Sequence, residues 1–300
     1  MDNTNISHMQ IQWYPGHMTK TKRMLMTQMS LIDVVVEVLD ARVPLSSRNP
    51  DIDSIAKGKK RVLVLNKADL ANPEITAQWE DYFRKRGFFT LQLNAKENDK
   101  KKSGVAQFYD MLRKIMKERA ESQRKRGRIN VPTRAMIVGI PNVGKSTFIN
   151  MLAGRASTTT ADRPGVTRGR QWIKVDATID LMDTPGVLWP KFEDPDVGLK
   201  LACTGAISDN VVDKIELAEL LIQMLMDISP AAIEARYKIK AEKCEHNGDS
   251  REILTNIGEA RGFKMKGGIV DIERSAIIIL DEFRGGKLGR ISLETPPETV

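Results

Sequence analysis

Gly139-Ile140-Pro141-Asn142-Val143-Gly144-Lys145-Ser146 decides how this chain is read. It follows a short apolar run, Ala135 to Val138, that reads as a strand, and it leads into a helical stretch. A Gly-x-x-x-x-Gly-Lys-Ser turn in that setting is a phosphate-binding loop, in which backbone N–H groups and the helix N-terminus cradle an anion. Asn142, Val143 and Gly144 lie inside the cradle. Lys145 is expected to reach the β- and γ-phosphates, Ser146 to ligate Mg²⁺, and Thr147 to bond the α-phosphate. From average composition such a pattern arises by chance in about one chain of this length in a hundred.

A second motif supplies the choice of base. Asn66-Lys67-Ala68-Asp69 closes an apolar run from Arg61 to Leu65. Guanine presents N1–H and N2–H side by side, and the Asp69 carboxylate can accept both. Adenine lacks that donor pair and would leave the carboxylate desolvated and unmatched. The stem of Lys67 can cover the base, and Asn66 can tie the loop together. In an ordinary GTPase this element comes well after the phosphate loop; here it comes before. A binding site needs its loops at the right places in space, so a fold tolerates the reordering. The reordering also moves the chain's exit to just behind the phosphate sensor, wiring whatever follows residue 190 to the γ-phosphate.

That sensor is Asp183-Thr184-Pro185-Gly186, about forty residues past the phosphate loop and at the end of a strand-like run, Thr178 to Met182. Asp183 can hold a Mg²⁺-bound water, and the Gly186 N–H can contact the γ-phosphate. Asp-x-x-Gly alone occurs about once per chain by chance, so its position carries the weight. Residue 187 is Val, where many GTPases place a water-orienting Gln. A valine cannot orient water; either hydrolysis is very slow or another group serves. His17 is the candidate, although a single histidine is more often structural or exposed. Arg163, Arg168 and Arg170 lie in a Thr-, Arg- and Gly-rich stretch, 155–170, expected to be a mobile loop, and none is assigned as an arginine finger.

Outward from these motifs, strand and helix alternate. Ile32 to Asp40 is a nearly continuous apolar run that reads as a buried parallel strand, preceded by an amphipathic basic helix through about Met29. Pro73 to Arg86 and a long stretch from about Val105 read as helices, and Phe89 to Leu93 as a strand. The expected fold is α/β, a doubly wound and mostly parallel sheet over residues 13–190, with ligands at the carboxyl ends of its strands. After Pro190 helical patterns dominate: Val197–Cys203, Asp213–Met226, Ala231–Ile239, Ser250–Gly262 and Ile272–Phe283. Residues 191–285 therefore read as a small all-α domain, 1–12 as a flexible leader, and 286–300 as a disordered tail.

The chain has 300 residues, 47 Lys+Arg against 39 Asp+Glu, and a formal charge of +8. With 41% hydrophobic residues it can bury real cores, so global disorder is excluded. The basic balance favours polyanionic partners, although a solvated basic face explains it equally well. Arg113 to Arg128 holds eight basic residues and two acidic ones, and its end, Gln123 to Asn130, reads as an exposed basic connector where an unpermuted relative would have its ends. Cys203 and Cys244 are too few for a disulfide framework or a zinc site, which fits a reducing cytoplasm. The leader has no apolar signal core, and no apolar run is long enough to span a bilayer.

The motifs above, with Trp13-Tyr14-Pro15-Gly16-His17-Met18, Asp40-Ala41-Arg42-Val43-Pro44, Pro164 to Gly169, Leu188 to Phe192 and Gly205-Ala206-Ile207, resemble the circularly permuted GTPases over about residues 11–285. Within that family the likeness is to the bacterial ribosome-biogenesis members. The resemblance implies GTP/GDP as ligand and Mg²⁺ held by Ser146, Asp183 and a switch threonine. It favours Thr167 for that role over Thr158, Thr159 or Thr160. It implies that His17 supports hydrolysis in place of the missing Gln, and that Asn142 helps coordinate K⁺ beside the phosphates. It implies a monomer that binds a late large-ribosomal-subunit precursor through rRNA contacts of its helical domain and is stimulated by it. Asn94-Ala95-Lys96 stands where the family often has Ser-Ala-Lys; a largely backbone contact to guanine is expected there. The rival readings are an RNA-binding factor whose nucleotide site only stabilises the fold, and a GTPase acting on tRNA or at a membrane surface.

Overall fold

The computed structural model describes residues 17–94, 104–128, 131–154, 171–175, 178–186, 188, 194–240 and 247–298, except for the side chains of 17–21, 171 and 247–249. The chain divides into two compact units. One comprises residues 14–191 together with 294–300, and the other holds 192–293 with 1–13.

The first unit is built on a six-stranded sheet. Its strands are β1 (Val34–Asp40), β2 (Lys60–Asn66), β3 (Phe89–Gln92), β4 (Thr133–Val138), β5 (Gln171–Lys174) and β6 (Ile179–Asp183), in the spatial order β3-β2-β1-β4-β6-β5. All neighbouring pairs are parallel except the antiparallel β5–β6 edge. All seven residues of β1 are buried, as expected of a strand covered on both faces. On one face, α1 (His17–Gln28) and α2 (Asp51–Ile55) set Leu25, Ile52 and Ile55 against Val35, Met136 and Met182. α3 (Pro73–Lys85) sets Trp79 and Phe83 against Leu39, Leu63 and Leu65 on that same face. On the other face α4 (Val105–Lys125) and α5 (Lys145–Ala153) meet through Phe108 and Phe148, whose rings lie 5.1 Å apart, edge to face.

Local chemistry accounts for the boundaries. Asn72 caps α3 by accepting from the Glu74 and Ile75 N–H groups, and Pro73 occupies the first turn. β2 starts at Lys60 because Gly58, at φ +78, lets the chain reverse after α2. Glu37 is the exception in β1: it is buried mid-strand and is matched by Arg61 and Arg48, whose guanidinium carbons lie 5.0 and 4.8 Å from the Phe88 ring centre.

The second unit is helical: α6 (Pro195–Cys203), α7 (Lys214–Ile228), α8 (Pro230–Tyr237), α9 (Asn247–Ala260) and α10 (Ile272–Arg284). Leu217, Leu221 and Leu225 of α7 are fully buried, as are Leu254 and Ile257 of α9 and Ala276 and Ile279 of α10. Arg284 ends α10 by donating to the Cys203 and Ala202 carbonyls at 3.1 and 2.9 Å, while pairing with Asp209. It thereby satisfies carbonyls that the end of α6 leaves open.

Three elements differ from the sequence reading. The short α2 and the edge strand β5 were not expected, and a single antiparallel bridge, Lys264–Val270, interrupts the helical unit. The C-terminal segment is not a disordered tail through its described length. Ile291, Ser292 and Leu293 are buried, and Glu294 belongs to the first unit. There its carboxylate accepts from the Leu45 N–H at 2.9 Å, the Ser46 N–H at 3.1 Å and the Ser46 hydroxyl, while its carbonyl accepts from Trp79 Nε1 at 3.2 Å. No described helix is long and apolar enough to cross a membrane.

Candidate functional site

The motif residues gather at the carboxyl edge of the sheet because every parallel strand runs to that edge. β4 delivers the phosphate loop, β6 delivers Asp183, β2 ends on Asn66, β1 on Asp40, and Asn94 follows β3.

Two glycines of the phosphate loop are required by close approach. A Cβ on Gly139 would stand 2.5 Å from the Val38 carbonyl oxygen, and one on Gly144 only 2.3 Å from Asn66 Nδ2. Gly144 also sits at φ +95, and Asn142 at φ +57, so the loop curls through left-handed conformations that turn successive N–H groups inward. Val143 is buried and its carbonyl accepts from Asn66 Nδ2 at 2.7 Å, which fastens the base-reading loop to the phosphate loop. Ser146 and Thr147 occupy the first turn of α5.

Lys145 is 7% exposed and donates to the Ile140 carbonyl at 2.9 Å. Burial pushes its ammonium down to about 8, against the opposing charge of Asp183. Asp183 is itself buried, and burial raises its carboxyl pKa against the pull of Lys145 and a backbone hydrogen bond from Thr184. Its Oδ1 has no hydrogen-bond partner among the described residues, a costly state for a buried carboxylate oxygen. Such an oxygen, on a carboxylate that faces Lys145 of the phosphate loop, fits a hydrated divalent cation. Thr184 Oγ1 donates to the Ile137 carbonyl at 2.7 Å and fixes the turn after β6. Gly186 then passes so close to the phosphate loop that a Cβ there would lie 2.8 Å from the Pro141 nitrogen and 3.1 Å from Lys145 Nζ.

On the base side, Lys67 is held at φ +59, and its Nζ donates to Asp40 Oδ2 at 2.9 Å. Asp40 is buried, and the fully buried Arg42 grips the same carboxylate through Nε at 2.9 Å and Nη2 at 2.8 Å. Burial opposes ionisation of Asp40, yet the two cations outweigh it and hold the carboxyl far below the usual range. The Ala41 N–H donates to the Asn66 carbonyl and the Ala68 N–H to the Leu93 carbonyl, so strands on both sides brace the loop. Asp69 is exposed at its tip.

The structure therefore brings together Asn66, Lys67, Asp69, Asn94, Asn142, Val143, Gly144, Lys145, Ser146, Thr147, Asp183 and Gly186. Ala95, Lys96, Thr167 and Val187 lie outside the described residues, as do the rival threonines 158–160 and Arg163, Arg168 and Arg170. His17 is the first residue of α1, and its side chain lies outside the described set. Sequence reasoning gave no role to Asp40 and Arg42. The available signal was a charged pair two residues apart at the end of an otherwise apolar strand.

In space, the loops after β4, β6, β2 and β3 share the carboxyl edge of the sheet; along the chain the last two come first. The class is a circularly permuted P-loop GTPase. The family described as 50S ribosome-binding GTPase matches residues 134–255, beginning just inside β4. Ribosome biogenesis GTPase A of Bacillus cereus is 44% identical over 97% of this chain and 95% of its own length, and the Thermotoga maritima protein of that name is 30% identical over 96% and 95%. The crystal structure of GNP-bound YlqF from T. maritima is similar with a TM-score of 0.64 and 26% identity, covering 93% of this chain and all of that one. The chain belongs to the ribosome biogenesis GTPase A family and is a GTP-hydrolysing enzyme of ribosome biogenesis.

Proposed function

We propose that this GTPase binds a late precursor of the large ribosomal subunit, hydrolyses GTP slowly alone and faster on that particle, and couples the nucleotide state to maturation. The observation that carries the reading is the connection of the phosphate sensor to the helical unit. Asp183 and Gly186 sit at the phosphate loop, and α6 begins at Pro195, nine residues past Gly186. The GTP state orders 155–170 and 183–192 around the γ-phosphate and reorients the helical domain, residues 191–285, onto rRNA; hydrolysis releases both.

Each residue has a role in this reading. Asp69 selects guanine, Lys67 covers it, and Asn94, Ala95 and Lys96 line its far edge. Lys145 and the N–H groups of residues 142–147 hold the phosphates. Ser146, Thr167 and, through water, Asp183 would hold Mg²⁺, which would supply neutralisation of the charge that develops on the phosphates. Asn142 helps hold a K⁺ beside the phosphates. His17 orients the attacking water that Val187 cannot. The protein acts as a monomer in the cytoplasm.

The test is GTP turnover in K⁺ buffer with and without purified large subunits or their precursors, with small subunits as control. Stimulation by large-subunit particles alone, abolished by Lys145→Ala, is expected. Equal turnover with either subunit and with none would reject the coupling. Hydrogen exchange across residues 190–285 that ignored nucleotide state on the particle would reject the reorientation.

A further inference from the structure

We infer that the exposed basic end of α4 is a second RNA-binding element, which grips the phosphate backbone of duplex RNA in every nucleotide state. The inference rests on the reading that the partner particle is an RNA assembly.

The apolar stripe of α4 is Val105, Phe108, Leu112 and Met116, and it ends there. From Lys117 to Lys125 no residue is buried, yet the helix continues for nine residues, about 13 Å at 1.5 Å per residue. Arg119 roots this extension by pairing with Asp33 at 3.0 Å, at the start of β1. Gly127, at φ +73, and the Arg128 N–H bond to the Gln123 carbonyl at 3.0 Å close it. Arg119 and Gln123 are the only half-buried residues of these turns, so a helix carried past its own core contact gains little burial there and its presentation calls for another explanation.

The extension is strongly cationic. Lys114, Lys117, Arg124, Lys125, Arg126 and Arg128 are exposed or half-buried and pair with no carboxylate among the described residues. At about 100° per residue, Lys117 and Arg124 fall on one line with Arg113, on the side away from Phe108 and Leu112. Ala120 lies between them and leaves room for close approach. Basic residues in the last turn also complement the helix dipole, but that accounts for Arg124 and Lys125 and not for a line that begins about three turns earlier, at Arg113.

Three features choose the ligand. The extension carries no large apolar side chain, so it lacks the inserting face of a membrane-surface helix. It carries no aromatic ring on which unpaired bases could stack. What remains, with Glu118 and Glu121 the two acidic residues among them, is an excess of cations on a rigid rod, which suits the regularly spaced phosphates of an A-form duplex. Location separates it from the nucleotide: α4 runs back from the carboxyl edge, and its end lies at the opposite edge, beside Asp33. These charges therefore serve no phosphate of GTP, and their grip does not depend on hydrolysis.

The test uses the full chain carrying Lys117→Gln, Arg124→Gln, Lys125→Gln and Arg126→Gln together, all at exposed positions. Binding to an RNA duplex of about twenty base pairs is measured by fluorescence anisotropy over a salt series, with GDP and with a non-hydrolysable GTP analogue. The variant should bind at least about tenfold more weakly, with a log–log salt slope shallower by about three, equally in both nucleotide states, and with unchanged basal turnover. Duplex affinity within about twofold of the unsubstituted protein overturns the proposal. So does a loss seen only on anionic vesicles, which would assign the surface to a membrane, or only with the GTP analogue. Subunit stimulation of the unsubstituted protein is read separately: if it is absent while the duplex effect persists, the proposed ribosomal function fails and the RNA grip stands.

Discussion

Asp40→Asn isolates the contact that sequence reasoning missed. The substitution keeps the shape and removes one negative charge from a carboxylate that serves Arg42 twice and Lys67 once, at 2.8–2.9 Å. Arg42 is 1% exposed and would lose the negative charge that Asp40 sets against it in the interior. Breaking a buried pair from one side costs about 3–5 kcal/mol, so the midpoint of denaturant unfolding should fall steeply. Lys67 is the second casualty: without the Asp40 charge its stem is held less firmly before the base arrives, at a cost of up to about 0.5–1.5 kcal/mol, or roughly a two- to tenfold loss of guanine nucleotide affinity.

The two effects separate in a double-mutant cycle. Adding Arg42→Met removes the buried cation and should restore part of the stability while leaving the affinity loss intact. The pH dependence has a definite sign. Asp40 has a folded pKa held below its unfolded value, so its stabilisation is complete above about pH 5 and is lost as pH falls through the folded value. The Asn variant should therefore lose stability less steeply on the acid side. Calorimetry or chemical denaturation, with a fluorescent GDP titration, makes the measurement. Stability within about 0.5 kcal/mol of the parent, together with unchanged affinity, would refute the argument that this buried triad positions the base loop.

Other contacts make sharp predictions. Gly144→Ala should weaken GTP and GDP binding by more than about tenfold, because it combines left-handed strain of about 1–3 kcal/mol with a clash against Asn66 Nδ2; affinity within twofold would show that the loop yields. Phosphate oxygens favour charged Lys145, whose ammonium in the free protein is held down to about 8. Below that pH nucleotide affinity should be flat, and above it binding must take up a proton and should weaken by up to about tenfold per pH unit; a flat profile to pH 9.5 would remove the linkage. Glu294→Ala deprives the Leu45 and Ser46 N–H groups of a charged acceptor and should cost about 1–2 kcal/mol and speed proteolysis within 294–298; an unchanged cleavage rate would mean the segment is held by other contacts.

The parts of the fold legible in the sequence were those with strong local physics. The Val34–Val36 run, the glycine loop and the Asn-capped Pro73 helix each have one stable local answer, and the helices of the second unit carry amphipathic stripes within a few residues of their observed ends. The unread parts depend on partners distant in the chain. β5 is an edge strand whose Trp172 is 40% exposed; it has no apolar alternation and exists because β6 offers it a ladder. The α2 helix is five residues long, too short to announce itself by period. The C-terminal segment reads as disordered through Pro296 and Pro297, yet Glu294 finds two open N–H groups almost 250 residues away. At the site, the loops were legible as motifs, but the Asp40–Lys67 contact was not, because it joins the ends of neighbouring strands whose register sequence does not state: Asp40 lies opposite Asn66.

The same strand geometry explains what the permutation accomplishes. In the ordinary order the chain would end after α4, whose last turns lie beside Asp33 at the edge of the sheet away from the nucleotide. A unit appended there would be separated from the γ-phosphate by the length of the strands. Joining α4 to β4 places both ends of the connection, Lys125 and Thr133, away from the carboxyl edge that carries the motif residues. The cut then falls behind β6, where Asp183, Thr184 and Gly186 are already held against the phosphate loop. β1 and β4 still pair in parallel register, Val34 opposite Ala135 through Glu37 opposite Val138, and Asn66 still reaches Val143, so the guanine and phosphate halves close as they would in the ordinary order. The fold's hydrogen-bonded frame is indifferent to where the chain is cut; the exit point is not, and in this order it lies on the edge that carries Asp183 and Gly186.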